Sequence, residues 1–238
     1  MAVNKYLNIH NYLNDKIQSN EFKDGKLPSE HELTALFNVS RNTVRRALDL
    51  LASDGLVTSV HGKGVFVLEK QPLNFLVGGL QSFKEASEYN NLNYHTCIPL
   101  FENIIVDEEL SKETNFLINS KAIKMFRVRN IDNENVILDI NYFNSNIIKG
   151  LTKDIAYESI YDFIENNLNL KISGAQKIIS IEPACPIDKK YLDLNDFNLV
   201  AVISNYVYLD DGSLFEYTQS RHRPDRFKFS TFARRSYK

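Results

Sequence analysis

Two kinds of hydrophobic patterning divide the chain near residue 70. Before it, apolar residues recur at helical spacing. Tyr6, Ile9, Leu13 and Ile17 fall on one face of a helix over Asn4–Asn20, and Glu21–Lys26 reads as a loop. Ser29 with Glu32 three residues on is a capping box opening a second helix that ends near Phe37. Asn38-Val39-Ser40 fits a tight turn. Ser40 caps a third helix over Arg41–Asp54, whose inward stripe is Val44, Ala47, Leu48 and Leu51, with Gly55 as its stop. Leu56–Val60 and Val65–Leu68 then pair as a hairpin around a glycine-rich tip, His61-Gly62-Lys63-Gly64.

After a polar, proline-containing linker at Glu69-Lys70-Gln71-Pro72 the period changes. A helix is expected over Gln81–Tyr89. β-rich runs follow at Ile98–Val106, Ala122–Ile131, Asn135–Phe143, Ile172–Glu182, Leu199–Leu209, Leu214–His222 and Arg226–Ala233. Helical segments intervene at Tyr157–Asn167 and Asp188–Asp193, and Asp210-Asp211-Gly212-Ser213 marks a hairpin turn. The class is therefore α+β: a winged helix-turn-helix over residues 1–70 and an antiparallel-sheet domain over 71–238.

Such an arrangement points to DNA. Side chains on the first turns of the second helix of a helix-turn-helix reach base edges. Here that surface carries Arg41, Asn42, Thr43, Arg45 and Arg46, with Lys63 on the wing. Asn42 can pair with adenine or stay solvated. Residues 1–70 hold nine Lys and Arg against eight Asp and Glu, so the positive charge is local and the salt dependence of binding should be gentle. The whole chain agrees, with a net charge of -2 and a pI near 6.2.

Other chemistry is sparse. Five histidines form no metal spacing, and there is no nucleophile elbow, phosphate-cradling loop or CxxC pair, so neither a metal nor a cofactor is expected and catalysis is disfavoured. Cys97 and Cys185 are far apart and fit buried small hydrophobes in a reducing cytoplasm. No run approaches a membrane span or an export signal. Arg127 and Arg129, two apart in a strand, share a sheet face. They either face solvent while Phe126 and Val128 face the core, or they grip an anion. Arg221–Lys238 holds seven Lys and Arg against one acid, which fits a charged strand edge or a second phosphate surface.

These residues also resemble the GntR family of bacterial regulators. The matching runs are L-P-S-E-x-E-L from Leu27, S-R-x-T-V-R-x-A-L from Ser40 and H-G-x-G from His61. The resemblance implies that Arg41, Thr43 and Arg45 meet bases or phosphates and that His61 and Gly62 approach the minor groove or backbone. His31 stands where the family often has arginine, which implies a weaker phosphate contact at neutral pH.

Residues 75–235 resemble the UTRA ligand-binding domain of the HutC subfamily, which shares the chorismate lyase fold. The runs are G-L-Q-S-F-K-E at Gly79, F-R-V-R at Phe126, S-I-Y-D-F-I-E at Ser159 and F-E-Y-T-Q-S-R-H-R-P-D-R-F at Phe215. V-I-L-D-x-x-Y-F at Val136, A-Q-K-I at Ala175 and F-A-R-R at Phe232 resemble the members that govern trehalose operons. The resemblance implies a homodimeric repressor that binds palindromic operator DNA and a sugar-phosphate effector, with trehalose 6-phosphate first in line. By it, Ser82, Phe83, Arg127, Arg129, Ser159 and Tyr161 would hold the phosphate, and Asp139, Glu216 and His222 would face sugar hydroxyls. His222 replaces the phenol often found there in amino-sugar sensors. The alternatives are a sensor of an amino-sugar phosphate or another small acid, and a DNA-anchored sugar-phosphate enzyme.

Overall fold

The computed structural model describes residues 5–22, 24–53, 55–60, 62–68, 83–89 and 93–228. The chain forms two compact units, each built around its own core. His61, Ser82 and the linker at 69–72 lie outside the described residues.

In the first unit, α1 (Lys5–Gln18), α2 (Glu30–Phe37) and α3 (Arg41–Ser53) precede a hairpin of β1 (Val57–Val60) and β2 (Gly64–Val67). The capping box forms in full: Glu32 donates its backbone N–H to Ser29 Oγ, and Ser29 N–H donates to the Glu32 carboxylate at 2.7 Å. Asn38 closes α2 in the left-handed conformation at φ 47°, which Asn adopts more readily than most residues. Ile9, Leu13 and Ile17 of α1 are buried with Leu33 of α2 and Val44, Ala47, Leu48 and Leu51 of α3, the stripe the periodicity predicts. Antiparallel pairing runs from Val57↔Val67 to Val60↔Gly64, and Gly62 at φ 72° makes the tip possible.

The second unit is a six-stranded antiparallel sheet in the order β3-β4-β5-β8-β7-β6. Its strands are β3 (Tyr94–Ile105), β4 (Lys121–Ile131), β5 (Glu134–Asn144), β6 (Ile172–Pro183), β7 (Leu199–Leu209) and β8 (Leu214–His222). The helices are α4 (Phe83–Tyr89), α5 (Glu108–Thr114), α6 (Lys153–Tyr157), α7 (Ile160–Asp162) and α8 (Pro186–Tyr191). A π-helical turn, Phe163–Asn167, continues α7. The short α5, which periodicity misses, starts at Asp107, whose side chain accepts the Leu110 N–H.

Both faces of this sheet are covered. One buries Phe126, Val128, Leu138, Tyr142, Val202 and Tyr217 against Leu192 and Leu194. The other buries Met125, Phe143, Val207 and Phe215 beneath Ala156, Ile160 and Ile164 of α6, α7 and the π-turn.

Several expectations are corrected. Beyond β8 the chain turns into a 3-10 helix at Pro224–Arg226, opened by the fixed φ of Pro224, so no strand starts at Arg226, while residues 229–233 of that expected strand lie outside the described residues. Arg221 and Arg223 are neither a strand edge nor a free anion surface. β8 lies between β5 and β7, and both arginines are buried in ion pairs. Arg221 grips Asp188 of α8 at 2.7 and 2.9 Å and Glu182 at 3.0 Å, while Arg223 is held by Glu134 and Asp225. Cys97 is exposed rather than buried, and Cys185 is half-buried. Among the described residues no helix is long and apolar enough to cross a membrane.

Candidate DNA interface and effector site

The first candidate surface follows from the packing of α3. Once Val44, Ala47, Leu48 and Leu51 are inward, the helical period leaves Arg41, Asn42, Arg45 and Arg46 exposed and Thr43 half-buried. His31 of α2 and Gly62 and Lys63 of the wing are also exposed. Two of the arginines are already oriented. Arg45 Nε donates to both Glu30 oxygens, at 2.9 and 3.2 Å, with its side chain 60% exposed. Arg46 stacks over the Tyr6 ring of α1, its guanidinium carbon 4.0 Å from the centroid. Sequence periodicity finds Arg45 and Arg46 but not their partners Glu30 and Tyr6, because contacts between helices leave no periodic trace. Thr43 helps to cap its own helix, its N–H donating to Ser40 Oγ at 3.3 Å and its hydroxyl lying 2.9 Å from the same oxygen.

The second candidate site lies on the sheet face beneath α6 and α7. The register aligns Arg127 with Asp139 and Asp139 with Ser220, and places His222 opposite Ile137. Alternation then puts Arg127, Arg129, Asp139, Asn141, Glu216, Thr218, Ser220 and His222 on one face. Of the residues singled out from the sequence, Arg127, Arg129, Asp139, Glu216 and His222 are thus brought together. Phe83 joins them by packing its ring 4.3 Å from the Arg129 guanidinium carbon, while its edge meets Tyr94. Tyr161 lies beside Glu216, and burial together with that carboxylate pushes its phenol well above the ordinary value. Ser159 caps α7, its Oγ accepting the Asp162 N–H at 3.3 Å.

Arg127 and Arg129 differ. Arg129 is buried, with Nε donating to Asp139 at 3.0 Å and Nη1 to Thr96 at 2.8 Å, while Nη2 has no hydrogen-bond partner among the described residues. Burial, and then the neighbouring Arg127 charge, push its pKa down to about 10. Arg127 is half-buried, donates Nε to Asn141 at 2.9 Å and makes no ion pair among the described residues. Burial opposes the charged form of Asp139, yet Arg129, Arg127 and a hydrogen bond from Ser220 outweigh it and hold the carboxyl below its usual range. Glu216 is 3% exposed, and burial raises its pKa. One of its oxygens meets Asn141 and Thr218, and the other, Oε2, has no hydrogen bond of normal geometry among the described residues, with the Tyr161 phenol close to the carboxylate. Burial pulls the His222 imidazole down to about 4.

A buried donor and a buried acceptor on one face, both unsatisfied, are costly unless something fills them. The geometry fits a ligand carrying both an anionic or oxygen-rich acceptor and hydroxyl donors. Thr96, Asn141, Thr218 and Ser220 belong to the same network but were not singled out from the sequence. Asn, Ser and Thr within strands carry no signal by themselves, and only the strand register places them here. Among the described residues no group of His, Cys, Asp and Glu could hold a metal ion.

Comparison with known proteins identifies both units. Residues 5–67 match bacterial regulatory proteins of the gntR family, and residues 90–228 match the UTRA domain. The chain is 42% identical over 236 residues to the HTH-type transcriptional regulator TreR of Bacillus subtilis, covering 99% of each chain. The solved effector-binding domain of that B. subtilis trehalose repressor superposes with a TM-score of 0.55 at 42% identity, covering 60% of this chain and 99% of that one. The possible transcriptional regulator YydK of B. subtilis shares the fold over 97% of this chain and 99% of its own, at a TM-score of 0.76 and 22% identity. These relatives are transcription regulators rather than enzymes, so the DNA-anchored enzyme reading falls away. The chain belongs to the gntR family of bacterial regulatory proteins and is a DNA-binding transcription regulator with a UTRA domain.

Proposed function

We propose that this protein is a sugar-phosphate-responsive repressor of a sugar-utilisation operon, released from its operator by trehalose 6-phosphate. The reading places a DNA-binding domain in residues 1–70 and an effector domain in 71–238, within the HutC branch of the family. The observation that carries it is the buried face on which, among the described residues, Arg129 Nη2 and Glu216 Oε2 have no hydrogen-bond partner, beside the half-buried Arg127. A phosphate would meet the two guanidinium groups, with Ser82, Phe83, Ser159 and Tyr161 around it. Sugar hydroxyls would donate to Glu216 and Asp139 and lie against His222. Full-length similarity to TreR, a trehalose repressor, supports trehalose among sugars. The regulator would act in the cytoplasm as a homodimer on a palindromic operator, because one winged helix reads few bases and two half-sites multiply the specificity.

A thermal-shift panel tests this. Trehalose 6-phosphate at about a hundredfold over its Kd should stabilise the protein by roughly 2.7 kcal/mol, and unphosphorylated trehalose far less. A larger shift with an amino-sugar phosphate would reassign the effector.

A further inference from the structure

The register carries the effector-side polar face beyond the residues considered so far. One rung runs Asn141↔Thr218↔Asn205↔Lys177, crossing β5, β8, β7 and β6. It lies on the same face as Phe143, Val207 and Ala175, two residues away along each strand, and those pack beneath α6 and α7. On the other side its neighbours are Ile203 and Ile179. The result is a polar rung four strands long, flanked on β7 and β6 by Val207, Ala175, Ile203 and Ile179 and on β5 and β8 by Phe143, Glu216, Asp139 and Ser220.

Its two ends differ. Asn141 and Thr218 are buried and bonded to each other at 2.7 Å, while Asn205 and Lys177 are half-buried. Among the described residues the Asn205 carboxamide makes only a 3.4 Å contact, to the Ile203 carbonyl. Burial lowers the Lys177 ammonium pKa. Hydroxyl-reading groups flanked by aliphatic side chains suit a sugar ring, which has polar edges and apolar C–H faces.

We propose that Asn205 and Lys177 form a second sugar subsite, which makes the site selective for a phosphorylated disaccharide over a phosphorylated monosaccharide. This rests on the sugar-phosphate reading above. Arg127 on β4 and Lys177 on β6 are four strand spacings apart, roughly 19 Å. A pyranose ring is about as wide as one spacing, ~4.8 Å. With its phosphate over β4, one ring covers β5 and β8. A second ring is needed to reach β7 and the inward-reaching lysine of β6. The carboxamide then exchanges hydrogen bonds with hydroxyls of the unphosphorylated ring, and the ammonium donates to them.

The test is calorimetric titration of the full chain with trehalose 6-phosphate and with glucose 6-phosphate, for the wild type, Asn205→Leu and Lys177→Met. The wild type should prefer the disaccharide. Each variant should lose about tenfold for trehalose 6-phosphate, the scale of one hydrogen bond, and little for glucose 6-phosphate. The Lys177 charge acts on both phosphates alike, so a selective loss isolates the hydroxyl contact. Equal losses for both ligands, or none for either, overturn the subsite. If the wild type binds neither ligand, the sugar-phosphate reading itself fails, and the subsite with it. Should Asn205→Leu fail to fold, Lys177→Met at its half-exposed position on an edge strand decides the question.

Discussion

Arg129 and Asp139 form an ion pair at 3.0 Å with both side chains almost wholly buried, at most 9% exposed, whereas Arg127, two residues away on the same face, makes no ion pair among the described residues. The two arginines therefore do different work. Removing one partner of a buried pair leaves an uncompensated charge and costs about 3–5 kcal/mol. Arg129→Ala should lower the melting temperature markedly. Arg127→Ala should leave it nearly unchanged while weakening phosphorylated ligands far more than their unphosphorylated sugars. Calorimetry showing equal losses for phosphorylated and plain sugars would make Arg127 structural.

Arg45→Ala should lower operator affinity by about 1–3 kcal/mol, the worth of a bidentate arginine–base contact, and leave sugar-phosphate binding intact. Glu30→Gln is the informative companion, because Glu30 holds Arg45 in the unbound protein. Releasing that hold should change operator affinity while Arg45 is present and do nothing in the Arg45→Ala background. Salt-controlled titrations of both single variants and the double variant check this.

Acid stability should depend on His222. Its folded pKa, near 4, lies below the ordinary value of 6.5, so the unfolded chain binds more protons between them. Stability is then full above about pH 6.5 and falls as pH drops toward 4, by an amount on the order of 3 kcal/mol. Glu216 acts in the opposite sense. Its raised pKa means the folded state holds the proton longer, so its contribution falls as pH rises from the ordinary carboxyl range through the folded pKa. Denaturant melts across pH should show a shallower acid slope for His222→Gln and a gain at neutral pH for Glu216→Gln. Unchanged slopes would mean that neither group titrates differently on folding.

Effector and operator should be linked. A two-fold dimer engages both half-sites only with its recognition helices about one DNA turn apart, roughly 34–36 Å. An effector favouring another spacing lowers operator affinity by a coupling of about 1–3 kcal/mol, and saturating operator must weaken the effector by the same factor. Identical effector affinities with and without operator DNA would remove the repressor reading even if each ligand binds alone.

What was legible in the sequence follows from how local its cause is. The capping box, the tight turn at Asn38-Val39-Ser40, the stripe of α3 and the Asp-Gly turn between β7 and β8 are set by residues a few positions apart, and β7 and β8 match their expected bounds. The orientation of Arg127 and Arg129 could not be read from alternation. Both sheet faces are covered, so Phe126 and Val128 face one core while the arginines face another buried region. The fate of Arg221 was hidden for a similar reason: Asp188, its main partner, is 33 residues away and reaches it only through the docking of α8. Asp139 and Glu216 stood out only through family resemblance, and Asn141, Thr218 and Ser220 emerged only with the strand register.

The alternation along β8 limits how this regulator can evolve. Glu216, Thr218, Ser220 and His222 face the side of the proposed effector site, while Tyr217 and Arg221 bind Glu113 of α5 and Asp188 of α8 on the other. One seven-residue stretch, Glu216–His222, thus encodes two unrelated surfaces, and a single inserted or deleted residue within it would exchange them wholesale. New effector preferences are therefore reachable by replacing side chains at every second position, and closed to changes in the length of the strand.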